Sequence, residues 1–261
     1  MTTDVVLIDV ADRIATLTLN RPEARNALNT DLRRALPQAL ATIDADDDVD
    51  VVILTGADPA FCAGLDLREL GSGQNRIGGG GDGGADGVGP FPPRTKPLIG
   101  AVNGPAITGG FELALNCDFL IASTRARFAD THARVGVMPG WGLTVLLADA
   151  IGVRKARELS LTGNFLDAEQ ALHWGLVNRV VEHDDLLATA RQVASDIVGN
   201  DQPGVRQMLA TYRDVNATTV AEGWRVEAER ARTWMAGGID PAGVESRRAA
   251  IIERGRGQLA R

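Results

Sequence analysis

The chain opens with two apolar, β-branched runs, Val5 to Val10 and Ile14 to Leu19, separated only by Ala11, Asp12 and Arg13. Two strand-like runs flanking so short a turn predict an antiparallel hairpin. After Asn26 the period changes: Leu32, Leu36, Leu40 and Ile43 recur at helical spacing, with Thr30 as the expected N-cap. Pro37 lies inside that pattern and brings no backbone donor, so a kink or a later helix start is expected there. Asp44, Asp46, Asp47 and Asp48 form an acidic stop, and Val51 to Thr55, closed by Gly56, reads as a short buried strand. Leu98 to Val102 and Phe119 to Ala122 repeat the strand signal on either side of a glycine-bounded helical stretch, Gly109 to Asn116. Asp167 stands three residues before Gln170, a capping-box variant, for a helix that Gly175 closes; Leu176 to Val181 is strand-like again.

This alternation of strand and helix predicts an α/β fold. Beyond about Asp184 the pattern becomes purely helical, through Leu187, Ala190, Ala194 and Ile197, then Val205, Met208, Leu209 and Tyr212, then Val220, Trp224, Ala231 and Met235. The expected organisation is an α/β core over residues 1–195 and an all-helical section over 196–261. A length of 261 residues fits one large domain with an appendage. With 44% hydrophobic and 23% charged residues, a mostly disordered or fibrous chain is excluded.

Charge and cysteine usage narrow the class further. A net charge of −7 argues against nucleic-acid binding, which draws its affinity from a basic face. The two cysteines, Cys62 and Cys117, are too few for a disulfide framework and are not spaced as a metal or redox pair, so a reducing cytoplasm is the expected compartment. No basic region precedes the first apolar run, and no run approaches the ~20 apolar residues that span a bilayer. Neither secretion nor membrane insertion is expected.

Ten of the 30 glycines fall between Gly71 and Gly89. Gly78, Gly80 and Gly83 there satisfy GxGxxG, but Ser72 to Ile77 is not the buried strand that a dinucleotide fingerprint requires. The stretch reads instead as a mobile loop. Two other turns carry more chemistry: Phe61-Cys62-Ala63-Gly64-Leu65-Asp66-Leu67 after the strand at Val51, and Asn103-Gly104-Pro105-Ala106-Ile107-Thr108-Gly109-Gly110-Phe111-Glu112 after the strand at Leu98. A turn that enters a helix leaves its first amides unpaired at the positive end of the helix dipole. Two such amides converging on one point would stabilise an enolate or a tetrahedral oxyanion. Taken alone, each turn reads more readily as a plain tight turn beneath a helix.

Four blocks, taken in order, resemble the crotonase, or enoyl-CoA hydratase/isomerase, superfamily. They are Leu19-Asn20-Arg21-Pro22 with Asn26-Ala27-Leu28; Leu54-Thr55-Gly56 with Phe61 to Asp66; Ala101-Val102-Asn103-Gly104 with Gly109 to Ala114; and Phe128 with Gly136-Val137-Met138-Pro139-Gly140-Trp141-Gly142. The resemblance runs from Val5 to nearly the C-terminus. It implies a spiral of repeated ββα units with a C-terminal helical region that assembles a homotrimer or a dimer of trimers. It also implies that the amides of Leu65 and Gly109 form an oxyanion hole for the thioester carbonyl of an acyl-CoA. Ala24, Ala63, Gly64, Leu65, Asp66 and Leu67 would wrap the coenzyme A portion, with Arg25 and Arg68 as candidates for its phosphates and equally as solvated surface arginines. From its composition and place after Leu70, the glycine-rich loop is expected to cover the acyl chain when substrate binds.

Glu112, one turn into the helix that Gly109 begins, matches the family glutamate that activates water. The family's second glutamate falls at His132, a departure; a histidine with a pKa near ~6.5 could share the proton work or place the water. Trp141 is expected to shape the acyl pocket or to pack beneath the site, Cys62 to be buried and inert, and His173 and His183 to be surface or packing residues. The implied activity is addition of water to trans-2-enoyl-CoA to give 3-hydroxyacyl-CoA, as in fatty-acid β-oxidation. No metal or redox cofactor is implied, and coenzyme A enters as part of the substrate. Isomerisation, hydrolysis or decarboxylation of another acyl-CoA would use the same oxyanion hole, and a non-catalytic acyl-CoA binding protein would keep the pocket without turnover.

Overall fold

A computed structural model of the chain describes residues 4–72, 89–236 and 241–259. Most of the glycine-rich stretch, including Gly78, Gly80 and Gly83, lies outside the described residues. The N-terminal hairpin pairs β1 (Val6–Ala11) with β2 (Ile14–Leu19), with Val6 opposite Leu19 and Ala11 opposite Ile14. The first helix, α1 (Thr30–Asp44), starts one residue from the expected cap: Asn29 fills that position, its side chain accepting from the Leu32 amide at 2.9 Å. Thr30 instead turns its hydroxyl to Glu69 at 3.2 Å. Pro37 does not delay the start. It is carried inside α1, where it costs the helix one backbone bond, and burial of Leu32, Leu36, Leu40 and Ile43 along one face spans the defect.

Strand β3 (Val51–Gly56) leads to the short helix α2 (Leu67–Gly71), and β4 (Leu98–Val102) leads through β5 (Pro105–Ile107) into α3 (Gly109–Leu115). Then follow β6 (Phe119–Ser123), β7 (Arg127–Ala129), the one-turn α4 (His132–Val135), α5 (Leu143–Ile151), α6 (Val153–Thr162), β8 (Leu166–Asp167), α7 (Ala168–Trp174) and β9 (Arg179–Val181). Asp167 caps α7 through the Gln170 amide at 2.8 Å, and Gly175 ends it at a φ of 83°. Because the Leu176 amide turns back to the Ala171 carbonyl, the final strand is confined to Arg179–Val181 and does not begin at Leu176. The remainder is helical: α8 (Leu186–Val198), α9 (Gln202–Ala236) and α10 (Pro241–Leu259).

The main sheet runs β1-β2-β3-β4-β6-β9, with β1 antiparallel to β2 and the other neighbours parallel; β5, β7 and β8 form a second, smaller sheet. The period of two divides the main sheet's side chains cleanly. Val51, Ile53, Ile99, Ala101 and Ile121 point to one face, where α8 buries Leu186, Ala190 and Ala194. Val52, Leu54, Leu98, Val102 and Leu120 point to the other, where they pack with Leu32, Leu36, Leu40, Phe111 and Phe128. Burial of each large apolar side chain contributes about 1.5–3 kcal/mol, so a sheet covered on both faces is a rigid platform. The turns that leave the carboxyl ends of β3 and β4 are therefore held from below. No described helix is long and apolar enough to cross a membrane.

Candidate active site

The turns after β3 and β4 meet. Cys62 forms an isolated bridge with Ala106: its amide donates to the Pro105 carbonyl at 3.0 Å, and its carbonyl accepts from the Ile107 amide at 2.9 Å. On the other side the same segment is bound by the region after Pro22. The Ala63 amide donates to the Arg25 carbonyl at 3.0 Å, the Leu28 amide to the Gly64 carbonyl at 2.7 Å, and the Asp66 amide to the Leu28 carbonyl at 3.2 Å. Residues 24–28 and 62–66, distant in sequence, thus lie side by side.

These bonds decide where the Leu65 amide points. In a trans peptide the carbonyl and the following N–H face opposite ways, so tying the Gly64 carbonyl to Leu28 aims the Leu65 N–H away from Leu28. It faces the loop that opens α3. There the Thr108 carbonyl accepts from the Glu112 amide at 3.0 Å, which directs the Gly109 N–H outward from the helix end by the same rule. Among the described residues neither the Leu65 nor the Gly109 amide has a backbone acceptor. Gly64, at a φ of 88°, makes the approach possible. A Cβ on it would lie 2.7 Å from the Ile107 carbonyl oxygen, 3.1 Å from the Thr108 Cβ and 3.5 Å from the Gly109 nitrogen. Gly110 is equally constrained, since a Cβ there would stand 2.1 Å from the Cys62 carbonyl oxygen.

Glu112 and His132 come together across this site, with His132 Nε2 3.5 Å from Glu112 Oε2. The other carboxylate oxygen, Oε1, accepts from the Gly140 amide at 3.2 Å and the Trp141 amide at 2.7 Å, which fixes the group and leaves Oε2 facing the imidazole. His132 Nδ1 donates to Asp130 Oδ1 at 2.7 Å, and the His132 backbone amide donates to the same oxygen at 3.1 Å. Thr108, Glu112, Asp130, Thr131 and His132 are each at most 6% exposed, so these contacts act away from bulk water.

Burial disfavours charge on His132. The hydrogen bond to Asp130, the contact with Glu112 and their two negative charges outweigh it, and the imidazole is pushed up to about 9. Burial likewise works against the Asp130 carboxylate, yet its bonds to His132 and Ser160 hold it below its ordinary value. Asp130 and Glu112 thus flank the imidazole, one carboxyl group on each ring nitrogen. The group can accept a proton at Glu112 and donate one from His132 Nε2.

Trp141 serves the site through its main chain: besides its amide, its carbonyl accepts from Asn116 Nδ2 at 2.8 Å, while its half-buried ring packs against the core near Gly109. Ala24 and Leu67 are partly buried; Arg25 and Arg68 are exposed on the adjoining turn and on α2. Asp66 pairs with Arg21 at 3.1 Å and caps α2 through the Arg68 amide at 3.1 Å. Cys62 is buried, and that burial pushes its thiol up to about 12, which leaves it inert as a nucleophile. His183 bonds Asp58 at 3.0 Å and Ser123 at 3.3 Å, but Ser123 Oγ is fully buried and already engaged with the Asn103 carbonyl and the Arg125 amide. That line of residues fastens strand ends together. Among the described residues no cluster of His, Cys, Asp or Glu side chains is placed to hold a metal ion.

Sequence reasoning left the directions of Asp130 and Thr131 open and assigned Thr108 no role of its own. Asp130 stands two residues before His132, a spacing at which a short acid can accept from both the backbone and the side chain of the histidine. Thr108 has a φ of 54° and a ψ of −116°, a region that costs a β-branched residue on the order of 1–3 kcal/mol.

The enoyl-CoA hydratase/isomerase family model matches residues 9–233. A probable peroxisomal enoyl-CoA hydratase of Arabidopsis thaliana is 42% identical over 86% of this chain and 84% of its own length. A short-chain-enoyl-CoA hydratase of Clostridium acetobutylicum is 39% identical over 77% of this chain and 78% of its own. Among solved structures, an enoyl-CoA hydratase from Mycobacterium tuberculosis H37Rv superposes with a TM-score of 0.82 at 54% identity, covering 90% of this chain and 99% of the other. A monofunctional enoyl-CoA isomerase from Mycobacterium smegmatis superposes at 0.69 with 35% identity, over 85% and 99% of the two chains. With its blocks, its crotonase-type α/β fold and these relatives in agreement, the chain belongs to the enoyl-CoA hydratase/isomerase family.

Proposed function

We propose that this protein is a hydro-lyase that adds water to trans-2-enoyl-CoA and yields 3-hydroxyacyl-CoA, the hydration step of fatty-acid β-oxidation. The observation that carries the proposal is the meeting of Glu112 and His132, 3.5 Å apart, on elements that also present two amides with no backbone acceptor among the described residues. In this reading the thioester oxygen accepts from the Leu65 and Gly109 amides. Glu112 Oε2 takes a proton from water as the water oxygen bonds to C3, and the double-bond electrons move onto the thioester as an enolate. The imidazolium of His132 then protonates C2, and Glu112 returns its proton to His132, so both groups end as they began. One water is consumed and no oxidant or reductant is needed, which is why the proposal includes no metal or redox cofactor. An oxyanion donor of this kind is worth about 10²–10³-fold in turnover, and a placed general base about 10²–10⁴-fold.

Coenzyme A would lie along Ala24 and Ala63 to Leu67, where the two turns are already joined, with Arg25 and Arg68 exposed within reach of its phosphates. Assembly as a homotrimer or a dimer of trimers belongs to the same proposal, supported by large apolar side chains left exposed at Leu161, Met208 and Tyr212. So does work in the cytoplasm, in keeping with two buried thiols that stay unpaired. The test is incubation of purified protein with 2-enoyl and 3-enoyl thioesters, with products identified by mass and chirality. A gain of one water on the 2-enoyl substrates is the predicted result. A shifted double bond at unchanged mass, or release of free coenzyme A, would replace hydration by isomerisation or hydrolysis.

A further inference from the structure

The residue before the Gly109 amide is under an unusual constraint. Thr108 adopts the positive φ that suits glycine; its carbonyl is held by the Glu112 amide, and its amide and hydroxyl are both held by one short segment. Its amide donates to the Ala129 carbonyl at 2.9 Å, and its hydroxyl shares a buried hydrogen bond of 2.5 Å with the Thr131 hydroxyl. Thr131 stands at the N-cap of α4, where a threonine ordinarily caps the helix, yet its side chain makes no capping bond. The hydroxyl is committed to Thr108 instead. The neighbours of Thr131 in that segment are Asp130 and His132, which govern the imidazole facing Glu112.

We propose that Thr131 is a positioning residue for the oxyanion hole: its hydroxyl holds Thr108 in the strained conformation that aims the Gly109 amide at the substrate carbonyl. A single tripeptide, Asp130-Thr131-His132, then sets the direction of the imidazole and of one oxyanion donor together. This inference rests on the oxyanion reading of Gly109 and would hold for any reaction that develops charge on the thioester oxygen.

The experiment compares T131V, T131S, T108G and T108A in the full-length protein, with two readouts. One is kcat and KM for a trans-2-enoyl-CoA. The other is the absorption shift of a bound aryl-conjugated enoyl thioester, which reports polarisation of its carbonyl whichever reaction follows. T131V is expected to lower kcat about tenfold, part of the effect of deleting an oxyanion donor outright, with KM little changed and a smaller absorption shift. T131S restores both. Glycine adopts the Thr108 conformation without a tether, whereas alanine carries the strain with no hydroxyl to hold it. T108G is therefore expected to exceed T108A in kcat and in absorption shift, the reverse of the order at an ordinary packed position. Should T131V fail to fold, the T108G and T108A pair decides. An undiminished absorption shift in T131V, or T108A matching T108G, would overturn the proposal. Wild-type protein that polarises the bound thioester without adding water would remove the hydratase reading, and the variants would still decide the role of Thr131.

Discussion

Replacing Asp130 by Asn keeps the shape of the side chain and removes the negative charge 2.7 Å from His132 Nδ1. The imidazole sits at about 9 against an ordinary 6.5, a difference worth on the order of 3 kcal/mol in favour of the imidazolium. Burial opposes that charge, and Asp130 supplies the leading contribution on the other side. Its loss should lower the imidazole by about 1–3 units, the usual range for removal of an adjacent opposite charge. If the imidazolium is the proton donor to C2, kcat/KM falls on the alkaline side as His132 deprotonates. The wild-type limb is expected near 9, and the D130N limb displaced toward neutrality. NMR titration of the His132 ring should move in parallel. Stability follows with a definite sign: the folded pKa lies above the unfolded one, so the contribution of His132 is complete below about pH 6.5 and is lost as pH rises through about 9. Denaturant unfolding between pH 6 and 10 should therefore show a shallower decline in D130N than in wild type. An alkaline limb and a ring titration that both stay in place in D130N would show that Asp130 does not hold the imidazole charged.

Three further outcomes follow from the same geometry. E112Q keeps the Trp141 and Gly140 contacts available but cannot accept the water proton, so kcat should fall about 10²–10⁴-fold in a steady-state assay; near-normal hydration would remove Glu112 from the base role. G64A forces a Cβ to 2.7 Å from the Ile107 carbonyl oxygen at a φ of 88°, and should lower kcat by about 10²-fold together with a weaker carbonyl polarisation signal. Cys62 and Cys117 are buried with their thiols raised, so a thiol reagent should label neither in the native protein and both in urea; rapid native labelling would contradict the inert assignment.

The long elements were legible because each carries enough positions to show a period. Val51 to Leu54 and Leu98 to Val102 are uninterrupted apolar runs, as strands buried on both faces must be, and α1 shows its buried stripe through Leu32, Leu36, Leu40 and Ile43. Strands β5, β7 and β8 hold three residues or fewer, too few for alternation to register, so the second sheet emerges only in three dimensions. Asn29 and Thr30 are both good caps side by side, and composition alone could not choose between them. At the site, Glu112, His132 and the two amide-bearing turns, which the fold brings together, were singled out through ordered motifs. What escaped was carried by the main chain or by an unlikely conformation. The Gly140 and Trp141 amides that fix Glu112 leave no mark on the side-chain pattern, and Thr108 occupies a backbone region where a sequence argument would place glycine.

Whether the Leu65 and Gly109 amides and the Glu112–His132 pair add water to an enoyl thioester is decided by incubating wild type and E112Q with trans-2-enoyl-CoA in heavy-oxygen water. The expected product is an intact thioester that carries a single heavy oxygen at C3, formed by wild type and nearly lost in E112Q. Label-free product with a moved double bond, free coenzyme A, or equal labelling by both proteins would contradict it.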